Sequence, residues 1–253
     1  MDPPAKLVLV ATKGLIAAFG ICAAAWAASV TPTYRHEAAL RDAAQSILQG
    51  ATLNQSQLSL LKGLVESAPP DSFRSLTKND IAVIRLHLLE KELAAKKVLF
   101  SEFEPARLAT LSALAGTPTN SFAWLTLCWM QPRTEVDKRA AFLRMSYVQG
   151  PNESWIAVRR FPVTLQSLSV LPDDLVGRVP VEFAGFVRSG LYDRAARLLE
   201  GVDPVIQQRL VAQLADVDEE NRRRFAKLME YREDLDHLSV PGVPKPPPRR
   251  YWR

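Results

Sequence analysis

The side chains best suited to chemistry gather between Pro118 and Arg160, where three of the five tryptophans fall among arginines and a glutamate. Trp124 and Trp155 each enter a helix shortly after a proline-containing turn, at Pro118 and Pro151. Trp129, five residues beyond Trp124, falls on a different side of the same helix. One expectation is structural: Trp124, Phe142, Tyr147 and Trp155 fill the groove between stacked helices, where large rings bury much area. The other makes Trp124 or Trp155 a platform for a sugar or peptide, with Arg144, Glu153, Arg159 and Arg160 supplying polar contacts. Arg159-Arg160 sits too deep in an apolar stretch to be simply solvated surface. A salt bridge to Glu153, or a place in an interface, would account for it.

The sequence has no HExxH, no GxSxG, no GxxxxGK[ST] and no GxGxxG after a strand. His36, His87 and His237 fall in separate helices or at a helix end and read as surface or amphipathic-helix residues. Carboxylate pairs for glycosidic cleavage can be drawn from Glu102, Glu104, Glu153 and Glu182. A chain with 27 acidic residues permits such a drawing by chance. Asp173-Asp174, after Pro172, favours a helix N-terminus through the macrodipole. Cys22 and Cys128 have no CxxC or Cys/His spacing around them, so neither zinc nor a disulfide is expected. Ile21, before Cys22, is not the small residue that precedes a lipidated cysteine. No catalytic residue, metal or cofactor is expected.

Charge narrows the partners. The tail from Ser239 to Arg253 carries Lys245, Arg249, Arg250 and Arg253 and no acid, so it takes +4 of the net +5 and leaves +1 for the rest. A nearly neutral body is not the footprint of a nucleic-acid-binding domain. Arg222-Arg223-Arg224 follows Asp216, Asp218, Glu219 and Glu220 and reads as a mixed-charge helix surface. The prolines from Pro241 to Pro248 predict an extended, solvated tail, residues 239–253, and the pattern Pro244, Pro247, Arg249 suits polyproline recognition. Arg249, Arg250, Tyr251 and Trp252 are its candidate contacts, with an acidic polymer, a partner protein or lipid headgroups.

Something must position these residues, and the first element is the N-terminal segment, residues 1–30. Leu7 to Val30 is apolar apart from Thr12, Lys13 and Ser29, long enough to cross a bilayer as a helix. Lys13 is tolerable near one end of such a span, where it can snorkel to headgroups. The same residues also suit a cleaved signal peptide, with Lys6 and Lys13 as its positive region, Leu15 to Ala24 as its apolar core and Ala25-Trp26-Ala27 as the cleavage site. Either way the chain after about residue 31 is expected outside the cytoplasm.

From residue 31 to 238 the pattern is helical. A turn is expected at Thr31-Pro32-Thr33, a helix over Tyr34–Leu48 ended by Gly50, a helix capped by Asn54, and another over Thr77–Lys97 capped by Asn79 or Asp80. Later helices are expected over Ser121–Gln131, Glu135–Val148, Asn152–Ser169 and Pro172–Arg188, then on to Leu235. No run alternates long enough to predict a sheet, and prolines outnumber glycines, 18 to 11. The fold class is all-α, read as stacked helix hairpins forming a solenoid. Trp124-Leu125-Thr126-Leu127 resembles the opening of a tetratricopeptide repeat, with Ala140 at the small position of its second helix and Pro151 near its close. Cys128 stands where glycine is usual there, and Gln131 where tyrosine is usual.

A broader resemblance rests on Pro118 with Trp124 and Leu127, then Leu143-Arg144-Met145-Ser146, then Gly150-Pro151, Glu153, Trp155 and Arg159-Arg160. Over roughly residues 115–200 this resembles small membrane-anchored proteins encoded with bacterial exopolysaccharide machinery, which pair an N-terminal apolar segment with a tetratricopeptide-like domain. The resemblance implies an accessory role beside envelope proteins that assemble or export a polysaccharide, and it carries no catalytic residues. The expected function is therefore a non-enzymatic scaffold on the inner membrane, facing the periplasm. A glycan-binding or glycan-processing protein and a small stabilising subunit are the alternatives, and a soluble periplasmic protein follows if the signal is cleaved.

Overall fold

The computed structural model describes residues 3–51, 53–67, 74–95, 101–232, 235 and 237–244, with side chains from Thr12 onward. Every regular element among these residues is a helix. The chain divides into two compact units, Met1–Pro118 and Thr119–Arg253.

The first unit begins with α1 (Pro3–Leu48), 46 residues without interruption. The expected turn at Thr31-Pro32-Thr33 does not form. Pro32 removes one N–H from the helix, but Ser29 and Thr31 donate their hydroxyls to the carbonyls of Trp26 and Ala27 at 2.7 and 2.6 Å. The carbonyl that Pro32 leaves without its helical donor is that of Ala28, which neither hydroxyl reaches, yet the helix continues through the proline. Its two halves differ. Leu15, Ile16, Phe19, Ile21 and Trp26 are 66–75% exposed, and none of the membrane-length apolar window is buried. Beyond Pro32, Glu37, Leu40 and Ala44 are buried.

α2 (Gln55–Glu66) opens on the expected Asn54 cap, closed as a box: the Asn54 carboxamide accepts from the Gln57 N–H and the Gln57 carboxamide from the Asn54 N–H, both at 2.9 Å. α3 (Ser75–Ala94) starts earlier than expected, with Arg74 at its cap position. Asn79 and Asp80 therefore lie within the helix and cap nothing. Asn79 instead reaches Thr117 beyond the end of α4 (Phe103–Gly116), at 3.4 Å. α3 and α4 form an antiparallel hairpin: Gly116 lies against Ser75 at one end, and Glu102 accepts from Arg85 at 2.8 Å near the other. Lys62 also pairs with the buried Glu102 at 2.8 Å, while Glu92 accepts from the Ser101 hydroxyl and the Glu102 N–H. Leu40, Ala44, Val65, Ile84 and Leu88 form the core beneath.

Within this hairpin His87 has a buried Nε2 with no hydrogen-bond partner among the described residues. Burial first, and Lys91 second, push its pKa below 6.5. The Glu90 carboxylate, 3.9 Å from Nδ1, is too exposed to reverse this. The folded chain thus resists a proton that the unfolded chain accepts, so stability is lost as pH falls through 6.5. Urea unfolding at about pH 7.5 and about pH 5.5 should show a lower midpoint at acid pH, and His87→Leu should shrink that difference.

The second unit contains α5 (Ser121–Met130), α6 (Val136–Gln149), α7 (Ser154–Gln166), α8 (Asp173–Val176), α9 (Arg178–Arg188), α10 (Tyr192–Leu199), α11 (Pro204–Ala212) and α12 (Glu219–Met229). The single helix expected over Pro172–Arg188 is broken at Gly177. Pro180 has no N–H to give the Val176 carbonyl, so the first helix ends and a second begins with proline in its first turn. Val179, Phe183, Phe186 and Val187 repeat at helical spacing and bury one face of α9. Phe186 meets Phe161 edge-on with centroids 5.6 Å apart, and Phe225 meets Phe183 likewise at 6.1 Å. A second cluster joins Leu125, Cys128, Leu143, Ile156 and Leu175. The expected tail begins later than residue 239: Leu238 and Val240 are buried, Val243 packs on the core, and Arg222 donates to the Pro241 carbonyl at 2.7 Å.

Candidate functional site

The feature around which the second unit is organised is Arg160, on α7, whose side chain is fully buried. A guanidinium in such a place must have every N–H directed at an acceptor, because an unpaired buried charge is costly. Its Nε and Nη2 donate to Glu182 Oε1 on α9 at 2.9 and 2.6 Å. Nη1 donates to the Ser146 carbonyl at 2.9 Å, and both terminal nitrogens reach the Gly150 carbonyl, at 3.4 and 3.3 Å. These carbonyls lie at the C-terminal end of α6, where the dipole favours a cation; the Ser146 carbonyl also accepts from the Gly150 N–H at 3.1 Å. The guanidinium carbon also lies 3.9 Å from the centre of the Tyr147 ring. Tyr147 completes the circuit by donating its hydroxyl to Glu182 Oε2 at 2.9 Å.

Burial pushes the Glu182 carboxyl up, while Arg160 and the Tyr147 hydroxyl pull it down; the upward push is the larger. Burial, with the Glu182 charge beside it, raises the Tyr147 hydroxyl well above the ordinary phenol range. Each group already holds a protein partner: Glu182 accepts from Arg160 and Tyr147, and the Tyr147 hydroxyl donates to Glu182. The Cys128 thiol is pushed by burial to about 11, which leaves too little thiolate for a nucleophile.

Ser121 ties α5 into the same node by donating to the Ser146 carbonyl at 2.7 Å. Gly150 makes room for it: a Cβ there would lie 2.5 Å from Ser121 Oγ and 2.6 Å from Ser121 Cβ. Gly150→Ala is therefore expected to lower stability by about 1–3 kcal/mol. Adding Ser121→Gly should recover most of the lost melting temperature.

The six candidate surface residues separate. Arg160 is the buried centre, and its carboxylate partner is Glu182 rather than Glu153, which sits exposed at the start of α7. Arg144 forms a two-pronged pair with Asp174, at 2.8 and 2.9 Å, on the surface, a position that contributes little stability. Trp155 and Arg159 come together on Phe122: the Trp155 ring is 5.2 Å from it, and the Arg159 guanidinium 5.5 Å. Trp155 remains 48% exposed, so the groove-filling role expected for it is only partly taken. Trp124 is half-buried and stacks on Phe142 at 6.0 Å, and Tyr147 is buried. Arg249, Arg250, Tyr251 and Trp252 lie outside the described residues.

Beside the node opens a cleft of about 420 Å³ whose floor includes Tyr147 and Glu182 and whose rim carries Arg178 and Arg188. Neither rim arginine was among the candidate residues. The available signal was the spacing 178, 181, 182, 185, 188, which puts the two arginines on one face of α9 with Glu182 between them. No protein family, curated protein or solved structure matches the chain.

Proposed function

We propose that this protein is a non-enzymatic scaffold of a bacterial envelope complex, held on the inner membrane by residues 7–30, with its helical body in the periplasm. The observation that carries this reading is the continuity of α1. Its first part is apolar and exposed, its last part enters the core of the first unit at Leu40 and Ala44, and no break separates them. Cleavage after Ala27 would cut through the middle of a helix, whereas an intact span makes the helix a stalk. From Val30 to Leu40 that stalk is about 15 Å long at ~1.5 Å per residue, so the first unit rides close to the bilayer. Trp26 and Tyr34 suit the headgroup region at its root.

The scaffold role draws on the residues that could have done chemistry. Arg160, Glu182, Glu102 and Arg85 are used in structural pairs. Each unit contains an antiparallel hairpin, α3–α4 in the first and α5–α6 in the second, the kind of element from which tetratricopeptide-like binding surfaces are built. The partners proposed are the envelope proteins that assemble or export an exopolysaccharide. Affinity purification of the tagged full-length protein from its own cells in mild detergent tests this. Stoichiometric recovery of envelope assembly or export proteins is the expected result, and a solitary protein would overturn the stable-complex reading.

A further inference from the structure

We infer that the cleft of the second unit binds a small soluble organic anion, held through a carboxylate or phosphate by Arg178 and Arg188. This inference is independent of the membrane tether. The cleft's volume, about 420 Å³, lies in the range of small-molecule sites. Its charge balance points to the ligand. Glu182 in the floor is neutralised by Arg160 beneath it, so the two exposed rim arginines set the sign. Among the described residues neither has a carboxylate at ion-pair distance; Arg178 lies instead 5.5 Å from the Tyr147 ring. Guanidinium groups suit carboxylate and phosphate because their paired N–H donors match two oxygens at once.

The opposite wall adds to the same field. Ser154 and Asn152, at the start of α7, line the cleft, and no side chain caps that helix. The Ile156 N–H donates to the Glu153 carbonyl, and this is the end of the helix where the dipole favours negative charge. Ala157, Val181 and Phe186 give the cleft an apolar lining, which suits a ligand with a ring-sized body and a charged end.

Gly185 gives the third, separate observation. It lies inside α9, where glycine is a poor helix former, and its backbone does not need the left-handed conformation. A Cβ built there meets no atom within 4 Å, so packing does not demand a glycine either. What the missing side chain does is keep the cleft open.

Isothermal titration of the full-length protein in nanodiscs of phosphatidylcholine, with glucuronate and glucose 6-phosphate as probes and glucose as the neutral control, tests the inference. Saturable binding of at least one anion, weakening as salt rises, is expected, with none for glucose. Arg178→Gln with Arg188→Gln should weaken it by about tenfold or more. Gly185→Leu should abolish it while the melting temperature stays level or rises by about 2–4 °C, which separates a filled site from a misfolded one. No saturable binding of either anion up to ~10 mM would overturn the inference. Equal binding of glucose would do the same, as would unchanged binding in Gly185→Leu.

Discussion

Arg160→Met should cost the second unit about 3–5 kcal/mol, because it strands Glu182 in a buried site without its counter-charge. That is a large share of the roughly 5–15 kcal/mol that holds a typical domain together. The loss arises from what remains rather than from what is removed. Glu182 keeps only the Tyr147 hydroxyl, and the Ser146 and Gly150 carbonyls lose their shared donor. Glu182→Met alone should also be severe, leaving a fully buried guanidinium with only the Ser146 and Gly150 carbonyls and the Ser146 hydroxyl to face. The double variant Arg160→Met/Glu182→Met should be less damaged than the two single losses added together, by about 2 kcal/mol or more. Urea unfolding of the full chain, followed by far-ultraviolet circular dichroism, measures all three. Additive losses, or a single Arg160→Met cost under ~1 kcal/mol, would mean that the node does not hold α6, α7 and α9 together.

The second large effect concerns the membrane. Phe19→Arg places a charge near the middle of residues 7–30 and should cost about 3 kcal/mol of insertion free energy. Lys13 already sits toward one end of the span, so a second cation at the centre has no nearby headgroup to reach. The variant should shift from the alkali-washed membrane pellet to the soluble or degraded fraction, while Phe19→Leu should stay in the pellet. Equal retention of Phe19→Arg would count against a spanning α1.

How far the fold could be read in advance depended on whether the deciding interaction was local. The Asn54 cap was legible because cap and partner stand three residues apart in one turn. Pro32 misled because a proline removes only the one bond its N–H would have given the Ala28 carbonyl, and here the helix runs on through it. Pro180 carried the opposite lesson, since the chain there starts a new helix. At the site, the depth of Arg160 in an apolar stretch marked it as a buried charge, but the sequence offered Glu153 as the near partner. Glu182, 22 residues away, becomes the partner only when α9 packs on α7. Its position between Val179 and Phe186, on the buried face of α9, was the sign that a carboxylate there needed a cation. Trp155 shows the reverse: a large ring was expected to fill a groove, yet it lies half-open on Phe122 beside Arg159.

The most direct measurement is the intact mass of the protein recovered from alkali-washed membranes of its own cells. A membrane-held scaffold predicts a mass that still includes the apolar segment of residues 7–27, with little protein in the soluble fraction. A soluble product beginning just after Ala27 would contradict it, because the helix proposed to tie the body to the membrane would then have been removed.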